Sequence, residues 1–134
     1  MALLEVTNLA VTFRTDDGPV QAVRGVDFSV EAGKVLAIVG ESGSGKSVTA
    51  MSILQLLPPS ATVTGTVNWQ GEDLLEAKPG RMREVRGGEI AMIFQDPLTA
   101  LNPVYRVGDQ IVEMILAHEK VSRAQARIRA VEML

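Results

Sequence analysis

Apolar and polar positions follow a period of two over the first forty residues. Leu9, Val11 and Phe13 alternate with Ala10 and Thr12, and Val26, Phe28 and Val30 alternate with Asp27 and Ser29. Such alternation marks strands with one buried and one solvated face. Asp16-Asp17-Gly18-Pro19 lies between the two runs and is rich in turn-forming residues. The pattern therefore predicts a half-buried antiparallel hairpin.

Two later segments are apolar without alternation. Val35 to Val39 follows the Ala32-Gly33 turn, and Ile90 to Phe94 leads into Gln95-Asp96-Pro97. Continuous apolar runs of this length predict strands in the middle of a parallel sheet covered on both faces, the second beside the first. Between them, a helical pattern runs from Val48 to Leu57 and stops at Pro58-Pro59. Strand-forming residues return from Thr62 to Trp69, closed by Gly71. Pro79 to Arg86 reads as a short exposed helix ended by Gly87-Gly88, with Arg81, Arg83 and Arg86 on its solvated face.

Helical spacing dominates the rest. Val107, Ile111, Met114, Ile115 and His118 mark one face, which makes His118 a core or boundary residue. Ser122 with Gln125 forms the signature of a capping box, opening a last helix with Ala124, Ile128 and Val131 on its inner face. That pattern reaches Leu134 with no glycine cap, proline or polar tail, so the chain is expected to be a fragment cut within a helix.

The segment joining the first apolar run to the first helix carries the chemistry. Gly40-Glu41-Ser42-Gly43-Ser44-Gly45-Lys46-Ser47 fits G-x-x-x-x-G-K-[ST], the phosphate-binding loop of P-loop nucleotidases, in the strand–loop–helix setting that a triphosphate site requires. Gly43 and Gly45 let backbone N–H groups turn inward as an anion-binding nest. The helix that follows adds the positive end of its dipole. Lys46 is positioned to reach the β- and γ-phosphates, and the Ser47 hydroxyl to sit on Mg²⁺. The residues predict a nucleoside triphosphate site.

Composition narrows the class further. With 134 residues, 46 % of them hydrophobic, the chain can bury one core. Its apolar runs of five or six residues are too short to span a bilayer as a helix, and the N-terminus has no signal-peptide pattern. The absence of cysteine excludes disulfides and thiolate metal sites. A net charge of −3 without a lysine/arginine block gives no footprint of a general nucleic-acid binder.

The hairpin ahead of the loop, and Gln95 on an apolar segment 49 residues after Lys46, resemble the nucleotide-binding domain of ABC transporters. Met92-Ile93-Phe94-Gln95-Asp96-Pro97-Leu98-Thr99-Ala100-Leu101-Asn102-Pro103 is similar to the Q-loop region of ATPase subunits from the dipeptide/oligopeptide and nickel importer group. Glu41 and Ser42 within the loop, and Val48 after it, suit the same group. The resemblance implies an α/β P-loop NTPase (ABC ATPase) core with an N-terminal antiparallel β-subdomain, truncated before the Walker B strand. It divides the chain at about 94/95, into β-subdomain plus P-loop core, then Q-loop and the start of a helical subdomain.

The same resemblance implies the roles. Phe13 matches the aromatic residue that stacks on adenine, although it shares a face with Val11 and hairpin packing is its competing role. Gln95 matches the glutamine that touches Mg²⁺ and the attacking water, which with Lys46 makes up the implied catalytic pair. The stretch after Gln95, to about Tyr105, matches the surface that receives permease subunits, with a packed structural loop as its competing role. ATP and Mg²⁺ follow as ligand and cofactor, and a second ATPase subunit as partner. The implied place is peripheral, on the cytoplasmic face of the membrane.

Residues 1 to 134 contain no LSGGQ-type signature, Walker B run or switch histidine, so a fragment ending at Leu134 is expected to be inactive by itself. An ABC-type ATPase acting on DNA or in translation shares the loop, and a regulatory module that binds without turnover shares it too. The lack of basic patches and the importer-like Q-loop weigh against the first.

Overall fold

The computed structural model describes residues 1–96 and 100–134; Pro97, Leu98 and Thr99 of the expected docking surface lie outside the described residues. Two compact units make up the chain, Met1–Arg83 and Glu84–Leu134, a division ahead of the 94/95 boundary drawn from the sequence.

The hairpin forms as its pattern requires. β1 (Ala2–Thr15) pairs antiparallel with β2 (Gly18–Glu31), and the register closes at Thr15↔Gly18, leaving Asp16 and Asp17 as the turn. β1 pairs on its other side with β3 (Ala61–Trp69), which pairs with the short β4 (Glu72–Asp73). The order β2-β1-β3-β4 leaves β2 at one edge. Val6, Leu9, Val11, Val23, Val67 and Leu74 are buried, and so is Trp69.

Both ladders of β1 break next to Asn8, between Val6 and Leu9 toward β2 and between Thr7 and Ala10 toward β3. Asn8 takes φ 48, and its N–H donates to the Asp27 carboxylate. Gly65 on β3 has φ 102, and a Cβ there would lie 2.4 Å from the Asn8 carbonyl oxygen. Here the bulge brings the β1 backbone so close to β3 that only a residue without a side chain fits at position 65.

α1 (Lys46–Ile53) ends earlier than the sequence predicts. Gln55 takes φ 51, its N–H donates to the Ser52 carbonyl, and the Leu56 N–H donates to the Met51 carbonyl. These two bonds are a Schellman cap built on a non-glycine residue. The Gln55 side chain donates to the Leu74 carbonyl oxygen, which helps hold the residue in a backbone region that glutamine seldom adopts. Helix termination therefore precedes Pro58-Pro59.

The two predicted central strands are not strands among the described residues. Residues 34–41 belong to no regular element, with Val35 and Val39 at 96 % and 88 % exposure. In Ile90–Phe94, the backbone makes one isolated bridge, Arg86↔Ile90, and Ile93 is exposed. Apolar character selects for burial, but a parallel strand exists only against a hydrogen-bonded neighbour. The described ladders supply none to either segment.

α2 (Pro79–Gly88) leaves helical geometry at Arg86 and Gly87, near the predicted end. It is not simply exposed, since Met82 and Val85 are buried. Arg81 is not merely solvated either; it pairs through Nε with both carboxylate oxygens of Glu72, at 2.9 and 3.2 Å.

In the second unit, α3 (Val107–His118) and α4 (Arg123–Met133) pack through Val112, Ile115, Ala126 and Ala130, with Ile111, Leu116 and Val121 against them. The capping box forms as expected: the Gln125 N–H donates to Ser122 Oγ, and the Ser122 N–H to the Gln125 side chain. The inner faces differ from expectation. Val107 and Met114 are exposed, as are Ala124, Ile128 and Val131. Alanines four residues apart let α4 approach α3 closely, and that contact turns the larger side chains outward. His118 is also exposed, its ring lying beside Gly87 and Gly88, where added Cβ atoms would fall 3.1 and 3.3 Å from its nitrogens.

Gly65→Ala is expected to destabilise the first unit by roughly 3 kcal/mol, combining backbone strain with overpacking against Asn8. Gly71 has a similar φ of 90 with open space around it, so Gly71→Ala should cost only about 1 kcal/mol. Urea denaturation of both variants measures the difference, and equal losses would show that the Asn8 contact is not what demands glycine.

Candidate functional site

The loop from Gly40 to Ser47 leads into α1, and its shape rests on Gly45, which no other residue replaces easily. Gly45 caps the helix with φ 97 and ψ 9. A Cβ on Gly45 would lie 2.7 Å from the Ala22 carbonyl oxygen, so the loop rests directly on the backbone of β2. At Gly40 a Cβ would meet Ser44 Oγ at 2.6 Å. The Ser44 N–H donates to the Glu41 carbonyl at 3.2 Å, closing the turn between them.

Lys46 opens α1, and its ammonium turns back over the loop. It donates to the carbonyl oxygens of Gly40 and Glu41, at 2.6 and 2.7 Å, and to Ser44 Oγ at 3.3 Å. The charge is thereby centred inside the ring of loop backbone. Thr49, buried one turn later, sends both its N–H and its hydroxyl to the Gly45 carbonyl, at 2.9 and 2.8 Å. Ser52, fully buried, donates its hydroxyl to the Thr49 carbonyl. This hydrogen-bonded spine fixes the first turns of α1 beneath the loop.

The electrostatics suit an anion. Backbone N–H groups in the first turn of a helix lack partners along the helix and carry its positive end. No acidic side chain stands in the first turn of α1. A cleft of about 640 Å³ opens beside the loop, with β2 from Val20 to Val26 as one wall. Gly40, Gly43, Ser44, Gly45, Lys46 and Thr49 form the other, with Ile38 and Val39 joining them.

The structure thus brings Gly40, Gly43, Ser44, Gly45 and Lys46 together around one cleft. Glu41 joins them through its carbonyl, while its side chain and that of Ser42 are exposed. Ser47 is exposed at the second position of α1, and Val48 behind it is half-buried. Phe13 is half-buried on β1 and does not line the cleft, although its cross-strand neighbour Val20 does. Gln95 is exposed at a bend in the other unit. The β2 wall was not legible as part of the site. Its alternation announces a hairpin, and nothing in the residues around Ala22 signals that its carbonyl supports a loop.

Several known proteins are similar to this chain. The oligopeptide transport ATP-binding protein OppD of Bacillus subtilis is 52 % identical over 98 % of the chain, which covers 37 % of that protein. OppD of Mycobacterium tuberculosis is 56 % identical over 98 % of the chain and 22 % of its own length. The dipeptide transport protein DppD of B. subtilis is 53 % identical over 98 % of the chain and 40 % of its own length. The chain therefore spans two-fifths or less of these relatives. Its fold matches the ATP-binding cassette MJ0796, solved as a dimer in a post-hydrolysis state with ADP and Pi. The TM-score is 0.79 at 22 % identity, over 96 % of this chain and 54 % of that one. The family model for ABC transporters matches residues 23–134, which takes in the loop, α1, β3 and both helices of the second unit, and the chain belongs to that family.

Proposed function

We propose that this chain is the nucleotide-gripping part of an ATP-binding subunit of an ABC importer, coupling ATP hydrolysis to transmembrane transport of peptides or a related solute. The observation that carries the reading is the loop itself. Lys46 is held by Gly40, Glu41 and Ser44 at the positive end of α1, over a cleft large enough for a nucleotide. The names of the peptide-transport relatives support the solute class.

In this reading Lys46 exchanges its carbonyl acceptors for β- and γ-phosphate oxygens, and the N–H groups of residues 43–48 hold the rest of the triphosphate. Ser47 is exposed at the second position of α1, so its hydroxyl is accessible to a cation beside those phosphates. Among the described residues no cluster of three His, Cys, Asp or Glu is present. A Mg²⁺ ion held mainly by phosphate oxygens and water needs none. When bound, Mg²⁺ neutralises charge on the β- and γ-phosphates. Phe13 would supply a ring for the adenine, and Gln95 is the residue that would hold the attacking water and the metal. A second ATPase subunit completes the hydrolytic site. Permease subunits dock on the region after Gln95, which places the protein peripherally at the cytoplasmic face of the membrane. No helix among the described residues is long and apolar enough to cross that membrane.

Lys46→Ala is expected to weaken ATP binding at least tenfold, about 1.4 kcal/mol, through loss of a charge-assisted phosphate contact. Titration with a fluorescent ATP analogue measures it, and unchanged affinity would remove the loop from the site.

Phe13→Ala is expected to weaken ATP by about 1–3 kcal/mol, the worth of one base–aromatic stack, while leaving Mg²⁺-tripolyphosphate binding nearly intact. Calorimetry with both ligands separates the two roles of the ring. Equal losses for both would make Phe13 a packing residue of the hairpin, in keeping with its half-burial beside Val20 and Ala61.

A further inference from the structure

The cleft beside the loop contains two cations and no carboxylate. Of the described side chains lining it, Arg24 and Lys46 alone are charged, in a chain whose net charge is −3. Chance placement on an acidic protein does not favour that pairing. Arg24 lies on β2 opposite Ala10, exposed, two residues beyond the Ala22 carbonyl that receives Gly45. The same close approach that seats the loop therefore fixes where the Arg24 backbone stands relative to it.

Lys46 is partly committed elsewhere. Its ammonium has three acceptors in the loop, and two of them are carbonyl oxygens that shape it. A polyphosphate brings several negative charges into a cleft where one lysine is the loop's sole charged side chain lining the wall. A guanidinium adds a fixed fork of donors that matches phosphate oxygens, which an ammonium does not. Val20 and Val26 line the same wall as Arg24 and offer the phosphates no competing polar side chain.

We infer that Arg24 is a second phosphate-binding cation of this cleft, taking a polyphosphate oxygen of the bound nucleotide from the β2 side while Lys46 takes the loop side. The inference rests on the nucleotide-binding reading above. The competing role is a charge that keeps an edge strand from pairing with another chain.

The experiment titrates the purified protein and its Arg24→Gln, Arg24→Thr and Lys46→Ala variants with ATP and with tripolyphosphate. Mg²⁺ is present, at roughly 50 mM and 500 mM salt. Arg24→Gln is expected to weaken both ligands by roughly three- to tenfold at low salt, with a smaller deficit at high salt. Arg24→Thr, a good strand former, gives the same reading if glutamine unsettles the hairpin; melting without ligand shows which variant to use. Unchanged binding in the Arg24 variants, with Lys46→Ala still impaired, overturns the inference and leaves Arg24 as an edge-strand charge. Loss for ATP with tripolyphosphate unaffected also overturns it, placing Arg24 at the ribose or base. Unchanged binding in every variant would instead remove the nucleotide reading itself.

Discussion

The approach of Gly45 to the Ala22 carbonyl is the constraint on which the site depends. At 2.7 Å from where a side chain would begin, it leaves no residue but glycine at the N-cap of α1. It also ties a loop with few bonds of its own to a strand locked by a long antiparallel ladder. Rigidity thus passes from the hairpin to the loop through one backbone contact. Without it the loop would carry Lys46 on a segment whose neighbour, Val35 to Val39, is in none of the ladders among the described residues.

The hairpin can serve this purpose because β1 accommodates two different partners. Its bulge at Asn8 shifts register toward both β2 and β3 at nearly the same place. Bulges increase local twist and bend a strand, so the two halves of β1 need not share one direction. The N-terminal half meets Trp69 and the end of β3, while the C-terminal half supports the part of β2 that walls the cleft. Gly65 on one side and the Asp27 carboxylate on the other hold that bend in place.

Local patterns were legible where local physics decides. The hairpin and its turn, β3, the capping box of α4 and the phosphate loop all follow from side-chain period or from fixed residue types at fixed spacing. What was not legible depends on partners. Val35 to Val39 and Ile90 to Phe94 read as central strands because apolar runs are usually buried, yet strand formation is a property of pairs. The faces of α3 and α4 offered more than one apolar stripe, and the small side chains of Ala126 and Ala130 decided which was used. At the site, the loop residues were evident from sequence and the β2 wall was not, since a carbonyl oxygen carries no residue-type signal. Phe13 was drawn from resemblance; it lies on β1 opposite Val20, which lines the cleft.

The cap on α1 has a consequence of its own. Because the Gln55 and Leu56 N–H groups close the helix on the Ser52 and Met51 carbonyls, the boundary is set directly after the last turn and does not depend on Pro58-Pro59. A helix that ends itself is insulated from its connection. Residues 57–60, between that cap and β3, are thereby free to vary in length and composition without lengthening α1, and variation there need not disturb the turn that carries Lys46.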